Sequence, residues 1–302
     1  MAEMSVFLNG KLLPIEQATV SVLDRGFIFG DGVYELVPVY SRVPFRLEEH
    51  LVRLERSLGE AKIRNPHSRA QWRSNIYQVI DAQTFDDQGV YFQVTRGVAK
   101  RDHAFPKNVE PTVFMMSNPL VNPPQEQVEK GSACISAQDN RWLRCDIKSI
   151  SLIGNCLLRQ LSAEVGGAET ILFRDGKLTE ASASNVFVVR GGVIQGPPKS
   201  NLILPGITYD VVLELAHSAQ LPLEIRSLTE AETRAADEIW VTSSSKEVLA
   251  IVRLDGKPVG DGRPGPLFRR MHALYQEFKR TVMRAGREIG RASCRERVWI
   301  PV

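Results

Sequence analysis

Hydrophobic and polar positions change period several times along the chain. In LEEHLVRLERSLGEAKI the apolar residues Leu47, Leu51, Leu54, Leu58 and Ala61 recur at helical spacing. A second helix is predicted over Arg69 to Gln83. Around these, SVFLNGKLLP sets Asn9-Gly10 between apolar runs, which predicts a tight hairpin. YELVPVYSRVPFR reads as strand, turn, strand, and VYFQVTRG and PTVFMMS read as strands.

The stretch NPLVNPPQEQVEKG, residues 118–131, then combines three prolines with few aliphatics and reads as a linker. After it, SACISAQ is predicted as a strand and LIGNCLLRQLSAEVGG as a helix stopped by a glycine pair. The run ETILFRDGKLTEASASNVFVVRGGVIQG reads as a meander, with turns at Asp175-Gly176 and Gly191-Gly192. LPGITYDVVLELAHSAQ is a helix opened by Gly206 and Thr208, and EIWVTSSSKEVLAIVRLDG is two strands about a serine-rich turn. The fold class expected is α/β (α+β): a smaller N-terminal α/β domain over 1–119, a linker over 120–130 and a larger C-terminal α/β domain over 131–286.

Composition narrows the class. A chain of 302 residues, 43% hydrophobic and 24% charged, is that of a globular protein with no run long enough to span a membrane. A net charge of +3 argues against nucleic acid or an anionic membrane as partner. Cys134, Cys145, Cys156 and Cys294 have no metal-ligand spacing, and the opening MAEMSVFLNG has no secretory pattern, so a reducing cytoplasm is expected. The arginine-rich stretch EIGRASCRERVWIPV has no period; residues 287–302 are read as a non-native disordered tail.

One lysine raises a chemical question. In RWLRCDIKSISLIGNC, residues 141–156, Lys148 stands among Leu143, Ile147, Ile150, Leu152 and Ile153. An ammonium among buried neighbours is costly, so Lys148 either snorkels to water or is a Schiff-base lysine. Were its partner pyridoxal phosphate, the site would need a phosphate cradle, an acid for the pyridine nitrogen and a trap for the substrate carboxylate. The chain offers Gly206-Ile207-Thr208 at a helix start, hydroxyls at Ser243, Ser244 and Ser245, Glu180 in the meander, and Arg53 on a helix. Each has an ordinary reading by itself: a capping glycine, a solvated turn, a strand-end carboxylate, a solvated helix face.

Together they match a family. LDRGFIFGDGVYE (23–35), HLVRL (50–54), RCDIKS (144–149), LTEASASNVFVV (178–189), LPGIT (204–208) and VTSSS (241–245), in this order, resemble the fold-type IV pyridoxal-phosphate enzymes, the class IV aminotransferases. The resemblance covers roughly residues 5–280, and VYFQVTRGVAKRDHAFP, with Arg101 and His103, is most similar to the D-amino-acid transaminases of that family. It implies pyridoxal 5′-phosphate as cofactor, a homodimer, and transamination between a D-amino acid, such as D-alanine or D-glutamate, and a 2-oxo acid. Lys148 is then the Schiff-base and proton-moving residue, and Glu180 faces the pyridine nitrogen. Arg53, Ile207, Thr208 and Ser244 hold the phosphate, Ser243 also binds the cofactor, Ser182 supports the ring and Arg141 lies near its hydroxyl. Tyr34, Arg101 and His103 trap the substrate carboxylate, the last two from the partner subunit. Two departures are Ala181-Ser182-Ala183-Ser184, where the family often has glycine and three serines, and Ser244, where threonine is common. The alternatives on the same fold are a branched-chain or (R)-selective amine transaminase or an aminodeoxychorismate lyase. Outside the enzymes, the alternative is a catalytically silent binding module.

Overall fold

The computed structural model describes residues 5–285. The closing stretch read as non-native, with Cys294, lies outside the described residues. Six strands make the first sheet: β1 (Ser5–Leu8), β2 (Lys11–Pro14), β3 (Gly32–Tyr40), β4 (Val43–Pro44), β5 (Gln88–Thr95) and β6 (Thr112–Pro119). Their order is β2-β1-β6-β5-β3-β4, antiparallel throughout. Asn9 and Gly10 both take positive φ, 48° and 88°, the geometry that a two-residue hairpin turn needs.

Three helices accompany this sheet: α1 (Arg25–Phe29), α2 (Leu47–Glu60) and α3 (Arg69–Asp81). Leu47, Leu51, Leu54 and Leu58 of α2 are buried with Trp72, Ile76, Val79 and Ile80 of α3 against the sheet, each large aliphatic contributing about 1.5–3 kcal/mol. Ser68 and Gln71 form a reciprocal capping box that fixes where α3 starts. Both helices end a little earlier than the periodicity predicts. On α2 a second stripe, His50, Arg53 and Ser57, is also buried, so the face that reads as solvated is not.

The segment 118–131 separates the two sheets and carries a short helix of its own, α4 (Gln125–Lys130). Beyond it come β7 (Ser132–Gln138), α5 (Ile153–Glu164), β8 (Glu169–Arg174), β9 (Lys177–Ala181), β10 (Asn185–Arg190), β11 (Val193–Gly196), α6 (Ile207–Ser218), β12 (Leu223–Ile225), α7 (Glu230–Arg234), β13 (Glu238–Ser243), β14 (Glu247–Leu254), β15 (Lys257–Pro258) and α8 (Pro266–Phe278). The sheet runs β12-β11-β10-β13-β14-β7-β8-β9, with β15 on β14. β7 pairs in parallel with both β14 and β8, an arrangement that local pattern does not encode. Sequence reading assigned no element to 257–285, where α8 packs Phe268, Met271 and Tyr275 into the core beside α6.

This sheet is strongly curled. β9 and β10 lie five strand spacings apart in the order, about 24 Å if flat, yet only three residues join them. That link reaches at most about 14 Å, so the β9 edge must come round to β10. Ala181 N donates to Ser184 O at 2.7 Å within the connection. Ile171, Phe173, Leu178, Val186, Val188 and Val241 fill the inside of the curl. The open end of this curl, the N-terminus of α6 and the buried polar stripe of α2 meet at one place.

Candidate active site

Residues 139–152 cross from the curled sheet to the first sheet without regular structure. Backbone contacts fix Lys148 within this segment. Its N–H donates to Ser57 Oγ at 3.2 Å, Tyr34 N donates to its carbonyl at 2.9 Å, and Ile150 N donates to Gly32 O at 3.0 Å. Gly32 permits that approach, since a Cβ there would sit 2.7 Å from Val94 O and 2.8 Å from Ile150 Cδ1. The Lys148 side chain is half-buried. Its Nζ lies 4.2 Å from the Tyr34 ring centroid and has no carboxylate partner among the described residues. The surroundings differ from the expectation of a buried apolar neighbourhood: Ile147 is 8% exposed, but Leu143 is 61% and Ile153 73%. Leu143 lies in the irregular segment, where no helical or strand period constrains its direction, and Ile153 opens α5 on a face exposed together with Leu157 and Leu161.

Glu180 at the end of β9 is buried. Its Oε1 accepts from Arg141 Nη1 at 2.7 Å, and its Oε2 from Asn185 Nδ2 at 3.2 Å and Leu204 N at 3.0 Å. Burial pushes its pKa up to about 7, opposed by the charge and hydrogen bond of Arg141. Arg141 is itself held by Asp139, which accepts from Nε and from Nη2, both at 2.9 Å. Thr179 and Arg174 complete that carboxylate's partners. Burial would raise the pKa of Asp139, but the bonds and charge of Arg141 bring it down to about 2.

The third wall is the start of α6. Gly206 is its N-cap and no side chain caps the helix, so the first amides of the helix lack intrahelical partners. A Cβ there would collide with Asn185 Oδ1, so a larger residue would displace the Asn185 amide from Glu180 and Leu204 O. Arg53 approaches from α2, donating to Pro205 O at 2.8 Å from Nη1 and to both oxygens of Glu35 at 2.8 Å. Those bonds use three of the five guanidinium protons, and the remaining two have no partner among the described residues. Burial favours the neutral form of Glu35, but the Arg53 and His50 contacts outweigh it and hold its pKa well below the usual range. Burial pushes the His50 pKa down, so a neutral ring donating from Nδ1 to Glu35 at 2.8 Å fits the pair.

These walls enclose a cavity of about 540 Å³. Lys148, Arg53, Glu180, Ser182, Ile207, Thr208, Ser243, Ser244, Arg141 and Tyr34 all line it. Arg101 and His103 do not. They stand on an exposed loop over α1, with Arg101 5.4 Å and His103 5.5 Å from the Phe29 ring. Arg25 Nη1 donates to Asp102 O at 2.5 Å and Phe105 lies 3.6 Å from the Arg96 guanidinium, so the loop is pinned while its polar tips face outward. Two site hydroxyls are already engaged. Ser182 Oγ donates to the buried Glu169, and Ser243 Oγ accepts from Lys246 N at 3.1 Å.

Sequence reasoning missed Glu35, His50, Asp139, Asn185, Glu169 and Lys246. For Glu35 a signal existed. Val33, Glu35, Val37 and Val39 alternate onto one strand face and are all buried, and an acid on an apolar face needs a cation. For Asp139, in an irregular segment, no comparable signal is present. An amine, a buried carboxylate, an arginine and a helix N-terminus around one cavity suit a phosphorylated, cationic heteroaromatic group bearing a carbonyl.

The sequence matches the family described as amino-transferase class IV over residues 32–254. It is 40% identical over 273 residues to D-alanine aminotransferase of Bacillus licheniformis, covering 90% of this chain and 96% of that one. It is 36% identical over 274 residues to the D-alanine aminotransferase of Staphylococcus aureus (strain MW2), covering 90% and 97%. Among solved structures, the T.th. branched-chain amino acid aminotransferase with pyridoxamine 5′-phosphate superposes with a TM-score of 0.87 at 24% identity, covering 97% of this chain and 98% of that one.

Proposed function

Since the chain belongs to the class IV aminotransferases, we propose that it transfers an amino group from a D-amino acid to a 2-oxo acid, with pyridoxal 5′-phosphate held in the cavity. The observation that carries this reading is the convergence of Lys148, Glu180, Arg53 and the α6 N-terminus on one cavity. The similarity to D-alanine aminotransferases supports the choice of substrate. Pyridoxal phosphate supplies an aldehyde that binds amines and a ring that accepts an electron pair. Lys148 Nζ would carry the cofactor, then take the substrate α-proton and return it on the other side of the transfer. Glu180 would face the ring nitrogen as an anion and favour its protonated form. The free N–H groups of Arg53, the amides of Ile207 and Thr208 and the hydroxyls of Thr208 and Ser244 would bind the phosphate. Arg141 would orient Glu180 from Asp139, and Ser182 would act through Glu169 on the wall behind the ring.

The test is direct. Holoenzyme supplied with D-alanine and 2-oxoglutarate is expected to form pyruvate. A faster reaction with L-leucine or an (R)-arylamine would assign the chain to another branch of the fold, and pyruvate from aminodeoxychorismate without a 2-oxo acid would make it a lyase.

Tyr34 lines the cavity and is the local part of the substrate-carboxylate trap. Arg101 and His103 are proposed to complete the cavity of a second copy. An apolar stripe on α5, Ile153, Leu157 and Leu161, is exposed beside Trp142 and Leu143, and is a surface that a homodimer would cover. This assignment predicts complementation. Lys148→Ala and Arg101→Ala should each be inactive with D-alanine, while co-refolded mixtures recover about a quarter of wild-type activity, half the dimers being mixed and each carrying one intact site. No recovery would place Arg101 in its own chain's reaction or remove it altogether.

Among the described residues no helix is long and apolar enough to cross a membrane, and Cys134, Cys145 and Cys156 are free thiols. These support placing the enzyme in a reducing cytoplasm, with small-molecule amino and 2-oxo acids as its substrates.

A further inference from the structure

Two cations that line the cavity are left without a task by the reading above, Lys246 and Arg159, and Arg159 is bonded to Ser162 Oγ and Gly167 O. Lys246 ends the serine turn between β13 and β14 and lines the cavity. Its neighbour Ser245 is exposed, yet the Lys246 side chain turns inward and is 23% exposed. Its Nζ donates to Glu169 Oε1 at 3.1 Å, a long bond for an ammonium on a carboxylate. Glu169 is fully buried and accepts from three other donors: Ser182 Oγ, Ser184 Oγ at 2.8 Å and Thr170 N at 3.2 Å. The carboxylate's hydrogen bonds are therefore met by neutral donors, with the lysine as its counter-charge, and two of the three ammonium protons have no partner among the described residues. Thr242 Oγ1 lines the same cavity, is buried and makes no hydrogen bond among the described residues. A buried hydroxyl without a partner is costly unless a bound group supplies one.

This corner is bounded by α5 and by the turns 182–184 and 243–246, the second of which it shares with the phosphate through Ser244, whereas the other phosphate determinants come from α2 and the start of α6. We propose that it is a subsite for a second, distal carboxylate of the substrate, with Lys246 as the specificity-determining cation and Thr242 as a supporting donor. The enzyme would then favour acidic D-amino acids and dicarboxylic 2-oxo acids over D-alanine and pyruvate. The inference rests on the D-amino-acid transaminase reading and names the substrate class of that same site.

The test compares Lys246→Met and Lys246→Arg with the wild-type holoenzyme in single half-reactions, so that no acceptor intervenes. Bleaching of the yellow cofactor colour by D-glutamate and by D-alanine gives an apparent affinity for each. In Lys246→Met the affinity for D-glutamate should fall about 10- to 100-fold, as for a lost charged hydrogen bond, with D-alanine within about twofold. Lys246→Arg should recover most of the loss. Calorimetric binding of glutarate, measured against butyrate, should weaken in the methionine variant in parallel. Equal losses on both amino acids, no loss on either, or a weakened affinity for pyridoxal phosphate would overturn the proposal, the last by giving the lysine to the cofactor phosphate. A wild-type enzyme inert to both D-amino acids would overturn the transaminase reading itself, and this subsite with it.

Discussion

Replacing Lys148 with alanine is expected to reduce transamination by about 10,000-fold or more, the upper range for loss of a positioned acid–base group, because the same amine is proposed to carry the cofactor as well. The purified variant should be colourless after cofactor is added and removed by dialysis, and borohydride should leave no label on the chain. The fold should survive. Lys148 is fixed by its own N–H and carbonyl, bonded to Ser57 and Tyr34, and alanine keeps both. The substitution removes the ammonium from over the Tyr34 ring, an interaction worth about 0.5–1 kcal/mol, so urea unfolding should shift by no more than that. A variant that stayed yellow and could still be labelled would take Lys148 out of the mechanism, and the cavity would need another amine. Lys246 would be the first to test.

How far the sequence reaches toward this site depends on whether each feature is local. The hairpin at Asn9-Gly10 and the turns at Asp175-Gly176 and Gly191-Gly192 all take the positive φ values that their residues favour, because turn chemistry acts over a few residues. The helices α2, α3, α5 and α6 follow from periodicity, with ends displaced by caps and by packing. The insertion of β7 between β14 and β8, and the curl that brings β9 round to β10, depend on pairings between distant strands and leave no local trace. Of the site residues singled out in the sequence, those on this chain's cavity come from six separate stretches. Only the curl, the irregular segment 139–152 and α2 bring them together. Burial was harder to read than identity. Arg53 has the spacing of a solvated helix face and is buried against Glu35, while Leu143 and Ile153 look like core and are exposed. The acid on the apolar face of β3 was readable by alternation alone, and would have turned the ordinary reading of Arg53 into a buried ion pair before any resemblance was invoked.

Replacing Glu180 with glutamine is expected to lower turnover by about 100- to 1,000-fold, the range for loss of one preorganised electrostatic partner, while the cofactor still binds through Lys148 and the phosphate cradle. Glutamine keeps the size, but its single acceptor oxygen keeps the bond to Leu204 N or the one to Arg141 and not both, and it gives the ring nitrogen no negative charge. The pH dependence of stability separates this role from a structural one. In the apo-protein the Glu180 carboxyl titrates near 7, raised from 4.5. A raised acid binds its proton more tightly folded than unfolded, so its contribution is fully present below pH 4.5 and is lost as pH rises through 7. The difference in unfolding free energy between apo wild type and Glu180→Gln should therefore move against the wild type by at most about 3 kcal/mol between these limits. Cofactor binding should erase most of that slope in the wild type, since a ring cation opposite Glu180 compensates the buried anion. If the slope is present in the apo-protein and unchanged in the holoenzyme, Glu180 does not face the charged edge of the ring, and a turnover loss in the variant would have to come from the displaced Arg141.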